Sequence, residues 1–328
     1  MRNTTAADVD GPAVPTSPQP AQGSGSQSAA WAELLRLPAL FTVPGDVLAG
    51  SASASGRPGP RTLWAIGSSL CLYEAGMVLN DWADRAEDAA ERPHRPLPSG
   101  RVRPAAALTA VCALTIAGLA LAARSGRPAL TVAVPLAATV WAYDLGLKRT
   151  PAGPAAMAAA RALDLLLGAA ATSGHVRSAL PSAALLGTHT LALTAVSRHE
   201  TQGGAPLTPL AALATTGVLT RLVSRGRTLA KGKLPGAKGQ LISFRSGVLA
   251  ALPAACAAAY AATAARPYLH ATLNPSPPLT QRAVGGGIRA TIPLQAALCA
   301  RSGAPVSALI TAALAPLAAR FAKRVSVT

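Results

Sequence analysis

Apolar residues in this chain come in long unbroken runs rather than in alternation with polar ones. From Trp31 onward the runs lie near 31–52, 62–80, 104–123, 128–146, 155–174, 179–197, 206–223, 246–265, 284–300 and 304–321. A helix needs roughly 20 apolar residues to cross a bilayer, whereas a barrel strand carries about ten residues of alternating character. The pattern predicts an all-α fold, a polytopic transmembrane helical bundle of about nine or ten helices around a central cavity. Pro38, Pro44 and Pro135 fall inside the runs and are expected to kink them. Residues 1–29 are rich in Pro, Ser, Gln, Gly and Thr and cannot bury a core, so they are expected to form a disordered tail ahead of a membrane domain at 30–328. That tail has no apolar segment of the kind a cleavable signal peptide carries.

Half of the residues are apolar and only 13% are charged, against about 25% charged in a soluble domain. Part of the solvent is therefore lipid, and the bilayer is the expected partner. The net charge of +17 would suit nucleic acid, but Lys and Arg sit in short connectors rather than on one basic face. They are read as topology determinants and phosphate ligands, and no nucleic-acid partner is expected. With the N-terminus inside, the connectors after the second, fourth and sixth helices share the cytoplasmic face. The first two carry Arg92, Arg95, Arg101, Arg103, Lys148 and Arg149, as the positive-inside rule asks. This implies a multi-pass protein of the cell membrane with its motif loops on the cytoplasmic side. The stretch from Ser224 to Arg245 opposes the scheme, because it carries Arg225, Arg227, Lys231, Lys233, Lys238 and Arg245 yet falls outside by the same count. Either the rule is broken there or a later run is re-entrant. Cys71, Cys112, Cys256 and Cys299 all lie in apolar runs without metal-ligand spacing, which suits packing.

The densest polar run, Asn80-Asp81-Trp82-Ala83-Asp84-Arg85-Ala86-Glu87-Asp88, directly follows the second apolar stretch. On a continuous helix, offsets of three and seven residues return to nearly the same face, so Asp81, Asp84 and Asp88 would converge. Clustered carboxylates at a membrane edge call for a cation, and hard oxygen donors select Mg²⁺, which takes one or two carboxylates together with phosphate oxygens. The plainer alternative is a solvated acidic helix end in which Asp84 and Asp88 pair with Arg85 and Arg92. Spacing alone does not separate the two.

The neighbouring residues shift the balance. The pattern Asn-Asp-x-x-Asp-x-x-x-Asp from Asn80 to Asp88, followed by Arg92-Pro93-His94-Arg95-Pro96-Leu97-Pro98-Ser99-Gly100, resembles the first aspartate-rich motif of the UbiA-like intramembrane prenyltransferase superfamily. The resemblance implies that Asp81, Asp84 and Asp88 hold the metal, that Asn80 meets the diphosphate, and that Arg92 and Arg95 close over it. Tyr143-Asp144-Leu145-Gly146-Leu147-Lys148-Arg149 is similar to the family's Tyr-Asp-x-x-x-Lys segment. It implies Tyr143, Asp144 and Lys148 in the catalytic machinery with Arg149 beside the phosphates; an interfacial Tyr followed by positive-inside anchors is the alternative. The family's second aspartate-rich motif has two carboxylates four residues apart after the sixth helix, but Val196-Ser197-Arg198-His199-Glu200-Thr201-Gln202-Gly203-Gly204 supplies only Glu200. Glu200 is the expected fourth metal ligand, and Arg198 either replaces metal charge at the phosphates or caps a helix. In this departure the chain resembles a divergent bacterial branch that includes Ebo-cluster-type proteins.

Ionisable residues inside apolar runs are costly and point to function. Glu74 lies seven residues before Asp81, deeper on the same face; Arg161 is expected to bind substrate or to pair locally with Asp164; His189 suits a satisfied interhelical hydrogen bond. Tyr73, Trp82, Trp141 and Tyr143 could face a carbocation or pack at the interface. The run Gly285-Gly286-Gly287 has no preceding strand and suits close helix packing rather than a phosphate loop. The resemblance implies transfer of a prenyl group from an isoprenoid diphosphate to an unidentified acceptor in the membrane, by Mg²⁺-assisted ionisation. A transporter is the first competitor, although the inverted repeat it would need is not visible. A non-catalytic isoprenoid-binding scaffold is the second, raised by the degenerate second motif.

Overall fold

The computed structural model describes residues 24–54, 57–225 and 239–325. Proline opens many of the helices: Pro44, Pro60, Pro104, Pro277 and Pro305 each stand at the first helical position, where the missing N–H would have had no partner. The order is α1 (Ser24–Leu34), a 3₁₀ turn (Leu37–Thr42), α2 (Pro44–Ser53), α3 (Pro60–Ala83), α4 (Arg85–Glu91), α5 (Pro104–Ser125) and α6 (Arg127–Leu145). Then follow α7 (Gly153–Ser173), α8 (Leu180–Ser197), α9 (Leu207–Ser224), α10 (Gly239–Leu273), α11 (Pro277–Arg301) and α12 (Pro305–Val325). Among the described residues, six helices are long and apolar enough to cross a membrane: α3, α5, α6, α7, α8 with its leading turn, and α9.

Each apolar run corresponds to helix. The first is broken at Pro38 and Pro44 into α1, the 3₁₀ turn and α2, whereas Pro135 is carried inside a continuous α6. Of the expected tail, residues 1–23 lie outside the described residues, and α1 already begins at Ser24. All four cysteines are free thiols.

α2 sits centrally, touching α3, α7, α8, α11 and α12. Its crossing with α7 is backbone to backbone: a methyl group at Gly50 would run into the Leu165 carbonyl, and one at Gly168 into the Val47 backbone. Small residues give such close approach in lipid, where no hydrophobic effect drives helices together. One apolar cluster joins α2 with α7 to α12 through Leu48, Leu165, Leu186, Tyr260 and Leu294. A second joins α2, α3, α5, α6 and α7 through Val47, Leu72, Leu136 and Leu167. His189 is fully satisfied between helices, with Nδ1 on the Tyr260 hydroxyl and Nε2 on the Gly287 carbonyl, both at 3.1 Å. The packing role of the glycine run also holds, since Gly286 lies against Pro267 and Gly287 against Tyr268 and Leu193.

Tertiary bonds gather four loops on one face. Lys148 after α6 reaches Asp84 after α3, Arg198 after α8 donates to the Thr150 carbonyl, and Gly204 N–H donates to the Pro275 carbonyl after α10 at 2.7 Å. The motif loops thus share a face, as the even-numbered crossings predict. α9 runs from this face to the other, so the basic stretch that begins at Arg225 departs from the opposite side. Residues 226–238 of that stretch lie outside the described residues.

Candidate active site

The aspartate motif does not lie on one helix. α3 stops at Ala83 and α4 starts at Arg85, with Asp84 at the junction at φ −91°, ψ 4°. The expected convergence of Asp81, Asp84 and Asp88 is therefore corrected: the break splits them into two groups. Asp81 and Asp88 share Arg95, at 3.5 and 2.7 Å, while Asp81 also takes Arg36 at 2.5 Å and Asp88 takes Arg92 at 3.5 Å. Asp84 turns to α6, where Lys148 meets it at 2.7 Å and Arg149 at 3.1 Å. Among the described residues no three carboxylate, His or Cys side chains stand at metal-ligand spacing. The plainer reading fails for Arg85, which bonds the Trp82 carbonyl at 2.8 Å and lies over that indole instead of pairing with Asp84.

On the α6 side, Asn80 donates to Asp144 at 3.0 Å and ties α3 to α6. Lys148 stands on a short 3₁₀ turn, Leu147–Arg149, and its side chain is only 11% exposed. Arg149 also reaches Glu87 at 3.5 Å but is largely in solvent. Arg198 is spent on the Thr150 carbonyl, which pins the loop that follows Lys148. Glu200 makes no ion pair among the described residues. Burial pushes its carboxyl above the ordinary range, and the charge of Arg92 pulls it back.

Below the aspartates, α3, α6 and α7 enclose a cavity of about 250 Å³. Arg36, Asn80, Tyr143 and Asp144 stand at its mouth; Leu72, Met77, Leu136, Val140 and Met157 give an apolar wall; Ser69, Arg161 and Asp164 make the inner end polar. Ser69 and Asn80 are eleven residues apart on α3, which sets a depth of about 16 Å at a 1.5 Å rise. Tyr73 and Tyr143 line the cavity, whereas Trp82 stacks on Arg85 and Trp141 donates to Thr115 at 3.2 Å.

Two expectations for intramembrane charges are corrected. Arg161 pairs with Asp46 of α2 at 2.8 Å rather than with Asp164 while it lines the cavity, and Asp164 accepts from Ser69 at 2.7 Å. Glu74 is buried but does not line the cavity; the wall uses Tyr73, Gly76 and Asn80, and neither Glu74 carboxylate oxygen has a hydrogen-bond partner among the described residues. Four participants escaped sequence reasoning: Arg36, Asp46, Ser69 and Gln295. Gln295 of α11 donates to Asp46 at 2.6 Å and to the Thr42 carbonyl at 2.7 Å, backing the Asp46 that holds Arg161. Asp46 and Gln295 were findable as polar residues inside apolar runs. Arg36 carries a positive φ of 46° that no sequence signal announces, and strained backbone of this kind tends to mark functional positions.

The sequence profile of the UbiA prenyltransferase family matches residues 39–223. A digeranylgeranylglyceryl phosphate synthase of Methanothrix thermoacetophila is 34% identical over 136 residues, 39% of this chain and 51% of that protein. The chloroplastic chlorophyll synthase of Oryza sativa subsp. japonica is 43% identical over 56 residues, 17% of this chain and 15% of that one. The chain thus spans about half the length or less of these curated relatives. Among solved structures, a UbiA homolog from Archaeoglobus fulgidus bound to GPP and Mg²⁺ superposes with a TM-score of 0.56 at 17% identity, over 85% of this chain and 99% of that one. A digeranylgeranylglyceryl phosphate synthase structure gives 0.59 at 16%, over 84% and 98%. At such identities these two superpositions speak for the fold, and the profile match speaks for descent. The chain belongs to the UbiA prenyltransferase family.

Proposed function

We propose that this protein transfers a prenyl group from an isoprenoid diphosphate to an acceptor in the membrane. The observation that carries this reading is an apolar cavity with Asn80 and Asp144 at its mouth, beside three aspartates that each hold a basic side chain. The reading is supported by a relative named digeranylgeranylglyceryl phosphate synthase and by a structural neighbour bound to GPP and Mg²⁺.

The donor set fits Mg²⁺. Asp81, Asp84 and Asp88 offer hard oxygens only, and their separation into two groups suits an ion that takes one or two carboxylates and completes its shell with phosphate and water. Glu200 would supply the carboxylate from the α8 side. When bound, Mg²⁺ would neutralise the charge that gathers on the departing diphosphate.

The chain's own groups do the rest. Lys148 and Arg95, now on aspartates, are positioned to turn to phosphate oxygens, Lys148 as a point charge and Arg95 as a fork. Asp144 orients Asn80 towards the same oxygens, and Arg92 and Arg149 stand at the rim. Arg198 acts as a positioning residue, holding the Thr150 loop behind Lys148. As the allylic C–O bond breaks, its electron pair leaves with the diphosphate, and the apolar wall keeps water from the carbon left behind. Tyr73 and Tyr143 turn their rings to that cation. The acceptor attacks it and gives up a proton. The shared face of the motif loops is assigned to the cytoplasm on the basic residues gathered there.

The test is to incubate the purified protein in lipid with labelled isoprenoid diphosphates of several lengths and a cell extract, then to identify labelled products by mass spectrometry. Donor-dependent product is expected. Binding of the diphosphate without turnover would favour the scaffold reading, which the lone Glu200 on the α8 side motivates.

A further inference from the structure

A second concentration of positive charge lies outside the donor cavity. Glu200 is the last acidic residue of the chain, and fourteen Lys and Arg residues follow it. Four side chains, Arg266 and His270 near the end of α10 and Arg282 and Arg289 on α11, line a cleft of about 260 Å³ with Pro267 and Leu279. All four are exposed, and none is in an ion pair among the described residues.

The depth of these charges is informative. The α10–α11 turn is fixed to the aspartate face by the Gly204 bond to Pro275. Arg289 lies twelve residues into α11, about 18 Å along its axis from the aspartate face. Its guanidinium folds back over Gly285, towards the start of α11, with Nη1 3.3 Å from where a Cβ would stand. Leu269, Leu273 and Ile288, near in sequence, are exposed apolar residues. A charged hollow with exposed apolar side chains near it calls for an anion that brings its own apolar part.

We propose that this cleft holds the phosphate of an anionic membrane phospholipid, with the acyl chain lying along Leu269 and Ile288. Arg282 and Arg289 supply forks for the phosphate oxygens, and Arg266 and His270 close the other side. Basic hollows between membrane helices near one face are suited to such headgroups. Free phosphate is the poorer occupant, because it would leave the exposed Leu269 and Ile288 uncovered.

Native mass spectrometry of the purified full chain, offered phosphatidylglycerol, phosphatidylcholine or inorganic phosphate, tests this. The wild type should retain phosphatidylglycerol in preference to phosphatidylcholine. The double variant Arg282→Gln/Arg289→Gln should retain about thirtyfold less, the factor that about 1 kcal/mol per basic residue gives for two arginines. The same charge removed at Arg124 and Arg177, on the opposite face, should change little. If the double variant is not monodisperse, Arg282→Gln alone should lower retention about fivefold. Equal retention by the variant, equal retention of the two lipids, or displacement of phosphatidylglycerol by inorganic phosphate would each overturn the proposal.

Discussion

The mouth of the donor cavity and the α10–α11 hairpin stand on the same face of the bundle and are both rich in arginine, yet their charges are arranged in opposite ways. At the mouth, Arg36, Arg92, Arg95, Lys148 and Arg149 all rest on Asp81, Asp84 or Asp88. At the hairpin, Arg266, Arg282 and Arg289 have no carboxylate partner among the described residues, and no Asp or Glu follows Glu200 in the sequence. The difference teaches how one excess of basic residues divides. On the proposed function, the cations that rest on the chain's own counter-ions are held in register to exchange aspartate for phosphate, and on the proposed lipid site those without take an anion from outside.

The contrast predicts that the mouth is sensitive to single substitutions. Asp84→Asn keeps size and hydrogen-bonding capacity but removes the charge that Lys148 and Arg149 face. Turnover should fall on the order of a hundredfold or more, the scale of deleting one group that stabilises transition-state charge. A near-normal rate in steady-state assays would detach the aspartates from the chemistry. Lys148→Gln should cost about thirtyfold in kcat/KM, because a hydrogen bond from a charged group is worth about 2 kcal/mol when its partner stays buried. A loss confined to KM would mean that Lys148 only gathers substrate.

Smaller effects sharpen the contrast further. Glu200→Gln should slow turnover about tenfold, less than Asp84→Asn, because water can replace one half-buried oxygen ligand of Mg²⁺. Loss equal to that of Asp84→Asn would make Glu200 an equal partner, and no loss would reduce it to a neighbour of Arg92. Arg149→Gln should cost about twofold only, since its pair with Asp84 is exposed on one side and solvent-screened. The surface substitution Glu33→Gln, which removes a pair with Arg101, serves as the control and should behave as wild type in the same assay.

Much of this was legible in the amino-acid order, for physical reasons that differ by element. Every apolar run became helix because a run of that length can bury its backbone bonds in lipid only as a helix. The motif loops came together because even crossings return to one face. The geometry inside the motif was not legible: the three-and-seven spacing presupposes one helix, and the break at Asp84 that turns its carboxylate to Lys148 depends on the tertiary pull of α6. Arg161 could be seen as costly, but its partner lies 115 positions earlier, at Asp46, and only the α2–α7 crossing brings the two together. Arg36 falls within the first apolar run, and only the turn that breaks that run after α1 turns its side chain to Asp81.

On the proposed function, the aspartate mouth drives metal-assisted departure of diphosphate. Its most direct measurement is release of diphosphate by the purified wild-type protein in lipid, from a labelled allylic isoprenoid diphosphate supplied with membrane extract, across a titration of Mg²⁺ after EDTA. Release should fall to background without metal and return as Mg²⁺ is restored. Release that continues unchanged in EDTA would contradict the claim.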